Sequence, residues 1–430
     1  MRPVLVLILH ATAPAAAGPL VRALAEARGA LAERQRGAFL AAGADAAEVV
    51  AGPPDGLTFG ERLVAEMEAR GAVGATGGAT AGAAADMAAG VATRATGGVA
   101  AGVATCTTGG LIVLGSGSIP LARAEDLRRF VEVAAGPGGH ALANNRYSAD
   151  VVAISRAADL AGLPPLPADN ALPRWLEERA GGAVTDLRSR WQLGVDIDTP
   201  LDLIALGDPA GRDLRAMAPL IGERLAALAE VLTNRRAELM VAGRISSATL
   251  RWLESGVACR VRALVEERGL RAASKLAQSD ALGAPSGATA GATAGGTPGA
   301  TPGTVGATAG ATPRPPRSVF GELLDRDGPD ALAATVARLA DAAVIDTRVL
   351  MAHRAGAADV ARSGAGTAWP ADEDRFASDL LLPVSIADPW LRALTESAAT
   401  TPGGPIVLGG HTMVNGGLRL LAQRARAAAR

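Results

Sequence analysis

Cysteine is scarce in this chain of 430 residues, which contains only Cys106 and Cys259. Two cysteines so far apart in the sequence provide neither a disulfide framework nor a cysteine-rich metal cluster. Cys106 also lies in a stretch of low complexity. This scarcity favours a reducing compartment, and we therefore expect a cytoplasmic protein.

Excess charge and long apolar runs are absent as well. Lys and Arg together number 42 against 43 Asp and Glu, which leaves a net charge of −1, and Lys275 is the only lysine. A balanced chain has no general attraction for nucleic acid or for an anionic membrane. No stretch reaches the roughly 18 apolar residues that a membrane span needs. The short apolar run of residues 4–9 predicts a first strand rather than a signal peptide.

Periodic large apolar residues are missing from two tracts of Gly, Ala and Thr, residues 74–109 and 284–316. Such tracts cannot bury enough surface to offset the entropy of ordering, and loops tolerate insertions because closure entropy grows slowly with length. We interpret both tracts as disordered insertions. Around them we divide the chain into a first domain of residues 1–207, a connector helix within 208–236, and a second domain of residues 237–430.

Short runs rich in Val, Ile and Leu alternate with helical stretches in both predicted domains. At this spacing the alternation predicts an α/β fold with a mostly parallel sheet, Rossmann-like in the first domain and smaller in the second. Within the second domain, the apolar pattern of residues 343–350 predicts one strand.

Two phrases in the first domain have the pattern of a ligand site. GLIVLGSGSIPL, residues 110–121, is a buried strand followed by a loop of small residues, and GVDIDTPLDLIAL, residues 194–206, places two acids before the start of a helix. Loops at the carboxyl ends of parallel strands are where open α/β sheets bind ligands. The hydroxyl and carboxyl groups that these phrases offer come from Ser116, Ser118, Asp196 and Asp198.

Asp196 and Asp198 allow two interpretations. At i and i+2 on an extended segment, both carboxylates point to the same side, where they are able to hold Mg²⁺ against a triphosphate. Alternatively, Asp198 caps the helix that begins at Thr199-Pro200, because Asp is a favoured capping residue and Pro is favoured at the first helical position. Sequence alone leaves both interpretations open.

These two phrases resemble the glycosyltransferase-A-like nucleotidyltransferases, a group that includes the molybdenum-cofactor, 2-phospholactate and cobinamide-phosphate guanylyltransferases. The resemblance covers residues 1–207. It implies transfer of a nucleoside monophosphate from GTP or CTP to a small phosphorylated acceptor, with release of pyrophosphate. It also implies Mg²⁺ as the cofactor, held by Asp196 and Asp198.

The chain departs from this group at two positions. Members usually carry a glycine-rich loop with Arg and Lys after the first strand, whereas this chain reads HATAPAAAGPL with no cation. Members also usually place an aspartate in the loop where this chain has only Ser116 and Ser118 around Gly117.

The most polar phrase in an apolar neighbourhood is Asn144-Asn145-Arg146-Tyr147-Ser148. Its amides and its tyrosine, the only one in the chain, offer groups that read a base or a sugar. A guanidinium such as that of Arg146 pairs bidentately with phosphate and helps to neutralise charge during transfer. The alternative is a turn without a functional role, since Asn and Ser favour turns.

In the second domain, polar residues follow three predicted strands, and we expect these strand ends to converge on one edge if the strands are parallel. The candidates there are Arg244 as a substrate-binding residue and His411, in GGHT, as a substrate-binding, acid–base or metal-ligating residue.

The sequence therefore supports three hypotheses about function. The leading hypothesis is Mg²⁺-dependent nucleotidyl transfer to a phosphorylated cofactor precursor. The alternatives are glycosyl transfer from a nucleotide sugar and a non-catalytic protein that binds a nucleotide or metabolite.

Overall fold

The computed structural model describes residues 2–70, 109–166, 168–266, 316–356, 369–401 and 404–428. Of the two low-complexity tracts, only Gly109 and Pro316 fall within these ranges, so the prediction of disorder lies outside the described residues. The architecture is α/β, with one sheet of six strands and one of four.

The six-stranded sheet has the order β2-β1-β3-β5-β4-β6. β5 runs antiparallel to both of its neighbours, while the other pairings are parallel. The sheet is thus mixed, but five of its six strands run in the same direction, as the expectation of a mostly parallel sheet requires. The strands are β1 Val4–Ala11, β2 Ala46–Gly52, β3 Gly110–Gly115, β4 His140–Ala143, β5 Val151–Ile154 and β6 Ala183–Asp186.

Both faces of this sheet are buried by helices. Val6 and Ile8 of β1 pack on the side of Phe39 and Phe130, whereas Leu7 packs on the opposite side. This alternation along one strand follows from the two-residue period of side chains in a β-strand. The helices around the sheet are α1 Pro19–Ala41, α2 Phe59–Ala69, α3 Ala124–Ala134, α4 Leu172–Glu178 and α5 Pro200–Leu206.

The segment predicted as one connector helix contains two, α6 Pro209–Met217 and α7 Pro219–Thr233. The break lies at Ala218, whose φ of −124° and ψ of 68° are not helical and end α6 directly before Pro219. Proline disfavours a helical conformation in the residue before it and lacks an N–H to continue the hydrogen-bond ladder, so it starts α7 instead.

The four-stranded sheet has the order β10-β9-β7-β8, and all of its strands are parallel. The strand predicted for 343–350 is wrong in its second half: β9 ends at Asp346, whose side chain accepts from the Arg348 N–H and caps a helix. The strands are β7 Glu238–Gly243, β8 Arg260–Val265, β9 Ala342–Asp346 and β10 Ile406–Gly409. The helices are α8 Ser247–Gly256, α9 Val319–Asp327, α10 Leu332–Ala337, α11 Thr347–Ala355, α12 Asp372–Asp379, α13 Pro389–Thr400 and α14 Leu418–Ala428.

A single apolar cluster connects the elements around the two sheets. Leu24 of α1 and Leu203 of α5 belong to the same buried cluster as Leu228 of α7 and Val344 of β9. The first predicted domain therefore shares a core with the second, and α5 lies between them. No helix among the described residues is both long and apolar enough to cross a membrane.

Candidate functional site

The two phrases singled out in the sequence lie side by side. Asp196 and Ser118 form an isolated antiparallel bridge, and the Ile197 N–H donates to the Gly117 carbonyl at 2.8 Å. We call residues 195–198 the acid segment and residues 115–118 the small-residue loop. A Cβ at Gly117 would lie 2.6 Å from the Ile197 carbonyl oxygen, so only glycine permits this close approach.

Helix α5 begins directly after the acid segment and has its own cap. Thr199 accepts from the Asp202 N–H, and Asp202 Oδ2 accepts from the Thr199 N–H at 2.8 Å, which is a capping box. The interpretation of Asp198 as the cap is therefore wrong. Its backbone N–H instead donates to Asp202 Oδ2 at 3.0 Å.

The carboxyl ends of β7, β9 and β10 meet at one edge of the four-stranded sheet, as the parallel strands require. The Arg244 guanidinium pairs with Asp346 through two hydrogen bonds of 2.6 and 3.1 Å. Thr347 Oγ1 donates to the Gly409 carbonyl at 3.3 Å, which fixes β9 against β10. This edge faces the acid segment.

His411 joins the two sheets at this point. Its Nε2 lies 3.5 Å from Asp196 Oδ1 and its Nδ1 lies 3.6 Å from Asp198 Oδ2. The next residue, Thr412, donates its hydroxyl hydrogen to Asp196 Oδ1. Both carboxylates predicted from the sequence therefore face a histidine from the second predicted domain.

A short π-helix, Met413–Gly417, directly follows His411 and Thr412 and packs against the acid segment. A Cβ at Gly416 would lie 2.4 Å from Val195 Cγ2, so the glycine permits the contact. Asn415 fixes the backbone at His411, because its Nδ2 donates to the carbonyls of His411, at 2.7 Å, and Arg244, at 3.0 Å. π-Helical turns occur frequently at functional sites.

Helix α1 supplies a cation to the same place. Arg28 Nη2 lies 3.0 Å from Asp198 Oδ1, and Arg28 Nε donates to the Ile197 carbonyl at 2.5 Å. Nearby, His10 Nδ1 and Ser116 Oγ form a hydrogen bond of 3.0 Å. Burial, together with the Arg28 charge, lowers the pKa of His10, which keeps this imidazole neutral at pH 7.

Negative charge exceeds positive charge around the acid segment. Burial and the neighbouring Asp198 raise the pKa of Asp196 to about 6. Burial and the same acids also raise the pKa of Asp150 and of Asp202, and Asp202 Oδ1 is buried with no hydrogen-bond partner among the described residues. The carboxyl groups of this network are those of Asp150, Asp196, Asp198, Asp202, Asp346 and Asp379, against the guanidinium groups of Arg28, Arg244 and Arg348.

The guanidinium groups from the four-stranded sheet already have partners within the network. Although burial opposes it, the Arg244 guanidinium lowers the pKa of Asp346. Arg348 forms two hydrogen bonds, of 2.5 and 2.7 Å, with the fully buried Asp379. Asp198 pairs with Arg28, so Asp196 and Asp202, in and next to the acid segment, are the buried carboxylates there that have no guanidinium partner among the described residues. Buried carboxylates of this kind are normally paired or bound to a metal ion.

The polar phrase at residues 144–148 divides between two roles. Asn144 is 1% exposed and donates to Asp150 at 2.7 Å and to the Leu193 carbonyl at 2.8 Å. It therefore fixes the backbone just before the acid segment. Asn145 accepts from the Tyr147 N–H at 3.0 Å within a turn, as the alternative without a functional role predicts.

Arg146 pairs with Glu177 of α4 rather than with the acid segment. Tyr147 lies between the guanidinium groups of Arg146 and Arg188, at 5.7 and 5.5 Å from its ring centre. Of the predicted serines, Ser116 is 6% and Ser118 is 5% exposed, so both are buried in the small-residue loop.

The amino-terminal end of α1 follows the loop where the resembling enzymes hold a triphosphate, and here it holds a carboxylate. Glu373 of α12 accepts from the N–H groups of Leu20 at 3.0 Å and Val21 at 3.1 Å. A Cβ at Gly18 would lie 2.2 Å from the Glu373 carboxyl carbon. We call this contact the α1 cap. Nothing in the local sequence indicated it, and nothing indicated Arg28, because a single Arg or Glu on a helix carries no distinguishing pattern.

Comparison with protein-family models, with curated proteins and with solved structures gave no match for this chain.

Proposed function

We propose that this protein is a divalent-metal-dependent nucleotidyltransferase whose centre lies between its two sheets. The observation that carries the proposal is the convergence of Asp196, Asp198 and His411, whose ligand atoms all lie within 4.8 Å of one another. The proposed donor is a nucleoside triphosphate, GTP or CTP, and the proposed acceptor is a small phosphorylated metabolite.

The residues present fit a divalent cation. Carboxylate oxygens are the ligands that Mg²⁺ prefers, and the surplus of buried negative charge is what a bound cation balances. Asp196, Asp198 and His411 would hold the ion. When bound, it supplies charge neutralisation at the phosphoryl oxygens of the donor.

The protein's own groups orient and neutralise the reactants. An acceptor phosphate oxygen attacks the α-phosphorus of the triphosphate, the bond from that phosphorus to the bridging oxygen of the β-phosphate breaks, and pyrophosphate leaves with the electron pair. A phosphate acceptor is already anionic at neutral pH, so the step needs no general base. Arg28, which lies beside the acid segment and contacts Asp198, neutralises charge on the transferring group.

A second candidate function is non-catalytic binding of a nucleotide or metabolite. The observation that favours it is the α1 cap, because Glu373 occupies backbone N–H groups that are well placed to bind an anion at a helix terminus. A triphosphate bound at this position would meet a carboxylate. The catalytic proposal therefore places the donor phosphates near Arg28, in the middle of α1, rather than at the amino-terminal end of that helix.

The test measures pyrophosphate release and melting temperature together. The purified full chain is incubated with each of GTP, CTP, ATP and UTP, with and without divalent metal, alone and with phosphorylated acceptors. Metal-dependent pyrophosphate release that Asp196→Asn abolishes supports transfer. A metal-dependent rise in melting temperature without any pyrophosphate supports the binding candidate. Release of a nucleoside diphosphate from a nucleotide sugar would show glycosyl transfer instead.

A further inference from the structure

The third side chain of the centre carries nitrogen, which distinguishes this centre from a site made of carboxylates alone. Oxygen-only sets suit Mg²⁺, Ca²⁺ and Mn²⁺, whereas imidazole suits Fe²⁺, Ni²⁺, Cu²⁺ and Zn²⁺; of the ions in the Irving–Williams series, Mn²⁺ is the weakest test of such a preference. His411 approaches both carboxylates within 3.6 Å through its two ring nitrogens. We infer that Asp196, Asp198 and His411 form a mixed nitrogen–oxygen site that selects a divalent transition ion, with Mn²⁺ as its probe, over Mg²⁺.

The orientation of the imidazole suits this role. A neutral ring ligates a metal through one nitrogen, and the N–H of the other nitrogen donates to a carboxylate, an arrangement that is usual for metal-bound histidines. Each nitrogen of His411 faces a different carboxylate, so whichever nitrogen ligates, the other has an acceptor.

The backbone around His411 is held in place on both sides. Asn415 Oδ1 accepts from the Ser246 N–H at 2.8 Å while its Nδ2 donates to the His411 carbonyl. The π-helix places Gly416 directly against Val195 of the acid segment. A backbone fixed in this way reduces the conformational entropy that the loop loses when His411 binds an ion.

The surrounding charge is an independent reason to place a cation here. Asp202 is 1% exposed, and its Oδ1 has no hydrogen-bond partner among the described residues. Leaving a buried polar oxygen unpaired costs free energy, and a water ligand of a bound ion would satisfy it. Asp198 and His411 keep 38% and 34% of their side-chain surface exposed, which gives an ion and a substrate access.

A second group of acids and histidine in the chain lacks these features and serves as a control. Glu322, Asp325 and His353 also lie within ligand distance of one another. Both nitrogens of His353 are already used, because Nδ1 accepts from the Ser318 N–H at 3.1 Å and Nε2 pairs with Asp325 at 2.9 Å. The acids there are exposed, so no buried charge is left unbalanced.

The inference rests on the metal role in the proposed function but not on nucleotidyl chemistry. Its test uses the full chain, stripped of metal with a chelator and titrated with Mn²⁺ alone and with Mg²⁺ alone. We expect one Mn²⁺ per chain, bound at least about tenfold more tightly than Mg²⁺. Pulsed electron paramagnetic resonance of the bound Mn²⁺ should show coupling to a directly ligated imidazole ¹⁴N.

Two variants at His411 separate ligation from folding. His411→Gln should weaken Mn²⁺ binding about tenfold or more and remove the ¹⁴N coupling. His411→Glu replaces nitrogen with oxygen at similar reach, so it should still bind Mn²⁺ without ¹⁴N coupling and should narrow the preference for Mn²⁺ over Mg²⁺. Asp325→Asn, in the control group, should leave all of these readouts unchanged.

Three results would overturn the inference: no Mn²⁺ binding, bound Mn²⁺ without ¹⁴N coupling in the wild type, or coupling that survives in both His411 variants. Pyrophosphate release supported by Mg²⁺, with no ¹⁴N coupling to Mn²⁺, would remove this inference and leave the proposed function standing. Bound Mn²⁺ with ¹⁴N coupling but no pyrophosphate release from any triphosphate would support this inference and remove the proposed nucleotidyl transfer.

Discussion

Elements of the two sheets meet at two polar contacts that differ in how completely their charges are balanced. At the α1 cap, the Glu373 carboxylate satisfies two N–H groups of α1 and lies at the positive end of the helix. At the acid segment, Asp196, Asp198 and Asp202 crowd together, and burial raises the pKa of Asp196 and of Asp202. The first contact contributes stability, whereas the second opposes it in the absence of a cation.

Under the proposed function, this difference distinguishes a structural contact from a ligand-binding one. Residues selected only for stability end with their partners satisfied, while residues kept for a ligand retain unbalanced charge until the ligand binds. The predictions below act on one contact or the other, in order of decreasing effect.

Removing a carboxylate from the unbalanced contact should separate activity from stability. For Asp196→Asn we expect pyrophosphate release to fall about 100- to 1,000-fold, the several kcal/mol that a metal-held charge contributes. The metal-free variant should melt at the same temperature as the wild type or a few degrees higher, because a crowded buried charge is gone. Calorimetry in the presence of a chelator measures this.

Asp327→Asn, in an exposed ion pair with Arg326, is the matched control and should change neither quantity. If metal-free Asp196→Asn melts well below the wild type, the acid segment is electrostatically complete and the comparison fails.

Metal affinity should depend on pH through Asp196, and His411→Gln removes the imidazole ligand that also binds metal only when neutral. The Asp196 carboxyl must lose a proton to bind an ion, so affinity in His411→Gln should fall up to about tenfold per unit as pH drops below about 6. Titration calorimetry with Mn²⁺ between pH 5 and 7.5 gives the curve. Affinity that is constant across this range contradicts the raised pKa.

In the metal-free protein, by contrast, the Asp196 carboxyl should make the fold less stable as pH rises. A folded-state pKa raised from 3.8 to about 6 means that the folded chain binds more protons, so this group lowers the free energy of unfolding as pH rises from about 4 to about 6. Excess Mn²⁺ should reverse that trend. The wild type minus Asp196→Asn difference in melting temperature isolates the contribution of this group from those of other carboxyls.

Breaking the α1 cap should lower stability without changing pyrophosphate release. Glu373→Gln removes the charge that the α1 N–H groups bind, and we expect the free energy of unfolding to fall by about 1–2 kcal/mol. Denaturant unfolding measures the loss, with the exposed Glu396→Gln as control. If Glu373→Gln instead leaves stability unchanged and strengthens triphosphate binding, the α1 terminus belongs to the substrate site.

The smallest expected effect comes from removing the hydrogen bond that Thr412 donates to Asp196. Thr412→Val removes the hydroxyl that donates to Asp196 Oδ1 and should raise the pKa of Asp196 further. Loss of about 1 kcal/mol of hydrogen bonding corresponds to roughly fivefold weaker Mn²⁺ binding near pH 6. The exposed Thr233→Val gives the baseline, and equal affinities in the two variants would remove Thr412 from the centre.

Local sequence determined much of the secondary structure of this protein. The two-residue period and the Val and Leu content of β1, and the small residues after β3, are properties of contiguous sequence, so these elements were predictable. The side on which Asp196 and Asp198 project also follows from their i, i+2 spacing on an extended segment.

The local sequence did not predict the direction of β5 or the end of β9 at Asp346. A fully buried four-residue strand has apolar residues throughout, so its pattern carries no information about direction. The Asp346 carboxylate caps α11 locally, but it is also held by Arg244, which is 102 residues away in sequence. Pairings of this kind leave no local pattern.

The candidate centre divides in the same way. Sequence alone identified two carboxylates one residue apart, because local spacing sets their geometry. Only the tertiary structure decided that His411 faces them, that Arg28 pairs with Asp198, and that Glu373 fills the end of α1. Asp196 and Thr412 are 216 residues apart in sequence, and contacts at such separations depend on how the sheets and helices pack into one shared core.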